Sequence, residues 1–206
     1  MKKGLSFFAA LCLVMIVASG CGQHTDTGTI ARTTVVIKDD GTVTYHLVGE
    51  FDRDYYSLDE LTAMAKEEAA QFNAAQNTAD SAPSVTVEGR EYRTEEGHQV
   101  VMTYQFDGVE SFAGFTKGFW YSGTLKEAAA QGCLDGVELK SVKDGSTLTE
   151  EQMKKQGKAR LIITDIHAVI YFPSGVVGVS EGVVPEKDKA ADASRTEGKA
   201  YILLAK

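Results

Sequence analysis

Ser57-Leu58-Asp59-Glu60-Leu61-Thr62-Ala63-Met64-Ala65-Lys66-Glu67-Glu68-Ala69-Ala70-Gln71-Phe72-Asn73-Ala74-Ala75-Gln76 is the longest stretch of the chain with a helical period. Leu58, Leu61, Met64, Ala65, Phe72 and Ala75 fall on one stripe, with Lys66, Glu67 and Gln71 off it. Glu68 interrupts the stripe and is expected at its rim. Ser57 and Glu60 have the spacing of a capping box, in which the hydroxyl accepts from the Glu60 amide and the carboxylate reaches back. The pattern predicts an amphipathic helix over 57–76 that must bury one face.

Strand patterns flank this helix on both sides. Residues 33–37 are β-branched, Asp39-Asp40-Gly41 is a turn, and 42–51 alternate, which reads as a hairpin with Val43, Tyr45 and Leu47 facing inward. Residues 85–93 and 99–106 read as a second hairpin turning at Glu95-Glu96-Gly97, with Val100, Met102, Tyr104 and Phe106 on one face. Asp107 is placed to cap a short helix through Phe112, and Thr124 to cap a turn over 125–131. Residues 137–142 read as a strand, and Thr149 opens a polar helix through Lys155. The most β-like runs are 159–164 and 167–172, followed by 176–179 and a final strand at 201–205. Residues 185–198 are charged, rich in alanine and poor in large apolar groups, so an exposed loop is expected there. Hairpins favour antiparallel pairing. The expected fold is therefore α+β: one domain over 30–206, mainly antiparallel sheet, with the 57–76 helix across one face.

The N-terminus has a different logic. Lys2 and Lys3 precede an apolar run over 5–18, which ends at Ser19-Gly20-Cys21. That is an export-signal pattern, and the run is shorter than the roughly 20 residues a membrane-crossing helix needs. Val17-Ala18-Ser19-Gly20-Cys21 resembles the lipobox of bacterial lipoproteins. The resemblance implies diacylglycerol on the Cys21 thiol, cleavage before it and acylation of the new N-terminus. The residues alone also fit an ordinary cleaved signal, or an uncleaved helix with an incidental cysteine. The implied organisation is a signal peptide over 1–20, lipidated Cys21 with a polar tether to 29, and the domain from 30. Fully extended, the tether reaches about 25 Å.

The chain has 206 residues, with 21 basic and 29 acidic side chains and a net charge of −8. Lys2 and Lys3 belong to the leader, so the rest is more acidic still. An acidic surface argues against nucleic acid and against a polybasic grip on anionic lipid. The membrane would then be held through acyl chains on Cys21, and stable anchoring takes more than one. Cys12 lies in the leader, leaving Cys133 without an intramolecular partner beside Cys21. Cys133 reads as a small buried hydrophobe at a helix end. A monomer without disulfides is expected, held by its core.

A search for chemistry gives little. His24, His46, His98 and His167 show no metal-ligand spacing, and no HExxH or CxxC occurs, so neither metal nor cofactor is expected. Asp165 and His167 project to one side of an extended segment, as a base and its orienting carboxylate would, or as a solvated strand end. No nucleophile elbow occurs, and Asp52-Arg53-Asp54 reads as surface charge. The best binding candidate is aromatic: Phe112, Phe115, Phe119, Trp120 and Tyr121, spaced by Gly114, Gly118 and Gly123. These rings would either plug the end of the sheet or stand exposed to stack on a sugar or anchor a partner protein.

Three segments resemble uncharacterised lipoproteins of Gram-positive anaerobes: Phe51 to Leu61, Tyr104 to Phe115, and Gly123 to Ala128. That resemblance implies a surface-exposed lipoprotein and supplies no catalytic residues. The expectation is a non-catalytic binding module of the cell envelope, lipid-anchored on the extracytoplasmic side (the periplasmic side in a Gram-negative host). Its partner would be a protein or an envelope glycan. The rival readings are a small-ligand accessory for transport or sensing, and a hydrolase of envelope polymers. The anchor has a direct test. Cys21→Ser is expected to abolish lipid labelling and release the protein from the membrane fraction, and unchanged partitioning would sink the assignment.

Overall fold

The computed structural model describes residues 30–76, 82–94 and 97–206. Residues 1–29, 77–81 and 95–96 lie outside the described residues, and with them the expected leader, Cys21 and tether. In chain order the elements are β1 (Thr34–Ile37), β2 (Val43–Glu50), α1 (Leu58–Gln76), β3 (Val85–Thr94), β4 (Gly97–Phe106) and α2 (Val109–Thr116). Then come β5 (Trp120–Thr124), α3 (Leu125–Ala130), β6 (Leu139–Ser141), α4 (Glu150–Lys155) and β7 (Arg160–Thr164). The last are β8 (Val169–Tyr171), β9 (Val176–Ser180), β10 (Val184–Glu186), β11 (Ala190–Asp192) and β12 (Ala200–Leu204).

The fold is α+β, and its strands form two sheets where the hairpin pattern suggests one. Seven strands run in the order β10-β11-β8-β1-β2-β4-β3, and five in the order β5-β7-β12-β9-β6. Pairing is antiparallel except between β1 and β8, where Thr34 lies beside Val169. The inner face of the larger sheet carries Val35, Val43, Val87, Met102, Tyr104 and Phe106, and these share one apolar core with Ile162, Ile202 and Leu204 of the smaller sheet. The smaller sheet buries its other face too: Leu161, Ile163 and Leu203 pack with Leu125 and Ala128 of α3. A strand covered on both faces cannot alternate with polar residues. That accounts for the unbroken apolar runs at 161–163 and 202–204.

Phe112 of α2 joins the layers. It has no exposed surface, and its ring lies 5.5 Å from Tyr45 on β2, 5.4 Å from Phe106 on β4 and 6.0 Å from Trp120 on β5. All three contacts are edge-on, the geometry aromatic quadrupoles prefer. The ring thus touches both sheets while belonging to neither.

Helix α1 packs on β3, the edge strand of the larger sheet. Its contact face is Ala65 and Ala69, flanked by Leu58, Leu61 and Phe72. Small residues suffice because the strand is also small there. A Cβ at Gly89 would meet Thr62 Oγ1 at 2.5 Å, Met102 Sδ at 2.9 Å and Leu58 Cδ1 at 3.0 Å. Farther along, the Asn73 side chain donates to the Val85 carbonyl at 2.8 Å and accepts from the Val85 amide at 2.9 Å. The amide of a helix residue here takes the place of a neighbouring strand, one way of blunting an open edge.

Several expectations are corrected. Met64 is 69% exposed and Ala75 is exposed, so the buried stripe runs through Ala65 and Ala69 instead. The Glu60 amide reaches Ser57 Oγ at 3.3 Å, as expected. Helix α2 extends to Thr116, and its N-cap is Gly108, without a side-chain cap from Asp107. Residues 185–198 are not an exposed loop. They contain β11, with Ala190, Ala191 and Ala193 buried, because a methyl group fills the space left beside Ile170 and Tyr171 of β8. Leu47 is exposed, although Val43 and Tyr45 on its face contribute to the core. Cys133 is half-buried. Thr124 and Thr149 each cap as predicted, forming complete capping boxes with Glu127 and Gln152.

Two substitutions test this account. Phe112→Ala is expected to cost about 3–5 kcal/mol, the range for deleting a buried aromatic ring, measured by urea unfolding. Gly89→Ala is expected to cost about 1–3 kcal/mol through overpacking, although Ala ordinarily improves a strand position. Adding Thr62→Ala to that variant should recover part of the loss, because it removes the nearest atom.

Candidate functional site

The aromatic segment does not form one face. Phe112 is core, and Phe115 is half-buried 5.4 Å from Phe72, 5.4 Å from Tyr104 and 5.6 Å from Phe106. Lys117 takes a left-handed conformation (φ 54°) and ends α2. Gly118 then passes so close to Ile166 that a Cβ there would lie 2.3 Å from its Cδ1. The chain enters β5 at Trp120, and alternation sends neighbouring rings to opposite sides. Trp120 packs into the core between the sheets, and Tyr121 packs on the far side with the α3 cluster. Phe119 is the exposed member of the five, and Lys199 Nζ sits 3.8 Å above its ring. The rings are thus divided between two cores and the surface, which leaves no shared platform for a partner.

The Asp165–His167 arrangement does not assemble as a base and its orienter. Asp165 Oδ1 accepts from the Phe119 amide at 2.7 Å and closes the turn before β5, while His167 is exposed. His46 lies half-buried, with Nδ1 3.0 Å from Thr103 Oγ1, and burial lowers its pKa. Among the described residues no group of three or more His, Cys, Asp or Glu could hold a metal ion. No helix among them is long and apolar enough to cross a membrane.

Exposed aromatic rings do gather elsewhere, at the end of β2. The Phe51 amide donates to the His98 carbonyl at 2.8 Å, extending the β2–β4 pairing by one residue. The chain then turns, with the Tyr56 amide donating to the Arg53 carbonyl at 3.0 Å, before Ser57 opens α1. This turn stacks four rings in a row. Tyr55 lies 5.0 Å from Tyr56, Tyr56 5.2 Å from Phe51, and Phe51 5.6 Å from His98. The inner member is buried, whereas Tyr56 is 43% and Tyr55 76% exposed.

Phe51, Tyr56 and His98 border a cleft of about 540 Å³ that also receives Asp52, Arg53, Asp54 and Glu91. Its polar groups are held in place by each other. The Glu91 carboxylate lies 3.0 Å from His98 Nε2, and Arg53 Nε lies 3.6 Å from Asp52. A flat apolar ring beside carboxylate acceptors and one guanidinium is the chemistry that receives a sugar, whose C–H face stacks while its hydroxyls donate. The cleft falls within the usual range for small-ligand sites, roughly 300–1,000 Å³.

The sequence reading passed over this site. Asp52-Arg53-Asp54 reads as surface charge, and His98 as a turn residue. The available signal was Tyr55-Tyr56, two large rings between a strand end and a helix cap, where no core awaits them.

Comparison of the chain with protein families, with curated proteins and with solved structures finds no match.

Proposed function

We propose that this chain is an exported lipoprotein, anchored through Cys21 on the extracytoplasmic side of the membrane, whose domain is a non-catalytic module binding an envelope glycan at the Tyr56–Phe51 cleft. The observation that carries the binding reading is the exposure of Tyr56 in a cleft it shares with Asp52, Asp54 and Glu91. Exposing large aromatic surface forgoes the roughly 1.5–3 kcal/mol that burying such a side chain returns. Here Tyr56 stays out, as Tyr55 does, while seven other aromatic side chains pack against one another. The acidic rim suits hydroxyl donors and is unsuited to anionic lipid or nucleic acid.

Connectivity supports the same reading. The Val48 amide donates to Thr33 Oγ1 at 3.2 Å, so β1 begins near the end of β2 that continues into Phe51. A tether preceding β1 therefore joins the domain at the end that carries the cleft. With roughly 25 Å of reach, that end would stay among the polymers close to the membrane.

The experiment is co-sedimentation with insoluble peptidoglycan, followed by titration with a soluble N-acetylglucosamine tetramer. Tyr56→Ala is expected to weaken binding about tenfold, which corresponds to about 1.4 kcal/mol, with a melting temperature close to that of the parent. Equal binding by parent and variant would overturn the site, and no binding by the parent would overturn the function.

A further inference from the structure

A second cleft, of about 340 Å³, opens at the opposite end of the sheets, where Ile37 closes β1 and Phe172 follows β8. Its interior is apolar, formed by Trp120, Ile162, Phe172 and Leu204. Its rim carries Lys158, Arg160 and Lys206, while no aspartate or glutamate lines it. In a chain with more acidic than basic residues this segregation needs a reason. None of the three cations has an anionic partner among the described residues.

Trp120 forms part of the apolar wall and reports on it. Its Nε1 is shielded from solvent and has no hydrogen-bond partner. The ring is fixed by its edge contact with Phe112, so it cannot easily turn its N–H elsewhere. Trp120 and Ser122 of β5 share a face with Arg160 and Ile162 of β7, the indole at one end of the β5–β7 pairing and the guanidinium at the other, and both line the cleft.

We infer that this cleft binds an amphipathic carboxylate of the size of a medium-chain fatty acid, with its apolar body against Trp120, Ile162 and Phe172 and its head group at Arg160 and Lys158. The site is separate from the Tyr56 cleft and does not depend on the glycan reading. The anionic head answers the unpaired cations, and the apolar body covers the indole ring. A neutral molecule of the same length would gain the apolar contacts alone, and a cationic one would meet repulsion at the rim.

The chain has one tryptophan, so its fluorescence and its single indole N–H resonance each report on one place. The full-length chain is titrated with decanoate, decanol and decyltrimethylammonium. Decanoate is expected to saturate the change in emission, to bind at least tenfold more tightly than decanol, and to move the indole resonance. Arg160→Ala, at an exposed position, is expected to weaken decanoate about tenfold while leaving decanol unchanged. Equal affinity for decanoate and decanol would overturn the assignment of the head group. Binding that leaves the indole resonance in place would overturn the site, as would an Arg160→Ala variant that binds decanoate like the parent. Failure of glycan binding at Tyr56 would leave these readouts untouched.

Discussion

The architecture depends on an aromatic ring held between two sheets. Phe112 reaches Tyr45 and Phe106 on one side and Trp120 on the other, all at edge-on distances. Each sheet alone would expose a face of valine, isoleucine and aromatic side chains to water. Bringing those faces together leaves a space at the β2, β4 and β5 junction, which α2 fills from outside either sheet. Phe115 extends the cluster toward α1 through Phe72, so the long helix is tied to the same core. This explains why aromatic residues are dense between 104 and 121. They are the material of a junction, and a junction consumes its rings.

That use of rings explains what was legible in the sequence. The helix over 57–76 and both capping boxes at Thr124 and Thr149 depend on residues close together in the chain, and they form where spacing puts them. The two-sheet division depends on which strands β8 and β12 join, and no local period records that. Alanine is the clearest failure: Ala190 and Ala191 carry too little apolar surface to mark a strand, yet they are fully buried beside β8. Ala65 and Ala69 likewise outrank Met64 because Gly89 lets the helix approach. The Tyr56 cleft escaped for a related reason. His98 and Phe51 are distant in sequence and meet only through the β2–β4 register.

The two clefts differ in chemistry as well as position. The end of the sheets where β1 begins gathers Asp52, Asp54 and Glu91 around the exposed Tyr56, while the other end gathers Lys158, Arg160 and Lys206 around an apolar interior. Like charges so arranged give the domain an electrical direction along its strands, on top of a net charge of −8. A field of that shape would draw solutes of opposite sign to the two ends, since potentials extend roughly a Debye length, about 8 Å at physiological ionic strength.

The place of β12 carries a last consequence, in time instead of space. It is the central strand of the smaller sheet, between β7 and β9, although it is the last strand in chain order. Until residues 200–204 are available, β7 and β9 have no neighbour to bring them together, and Ile162 has no Ile202 beside it. The larger sheet waits as well, because β1 needs β8. Pairings so distant in sequence make folding slow and concerted. A chain emerging from its N-terminus presents β7 and β9 before the strand that pairs with both.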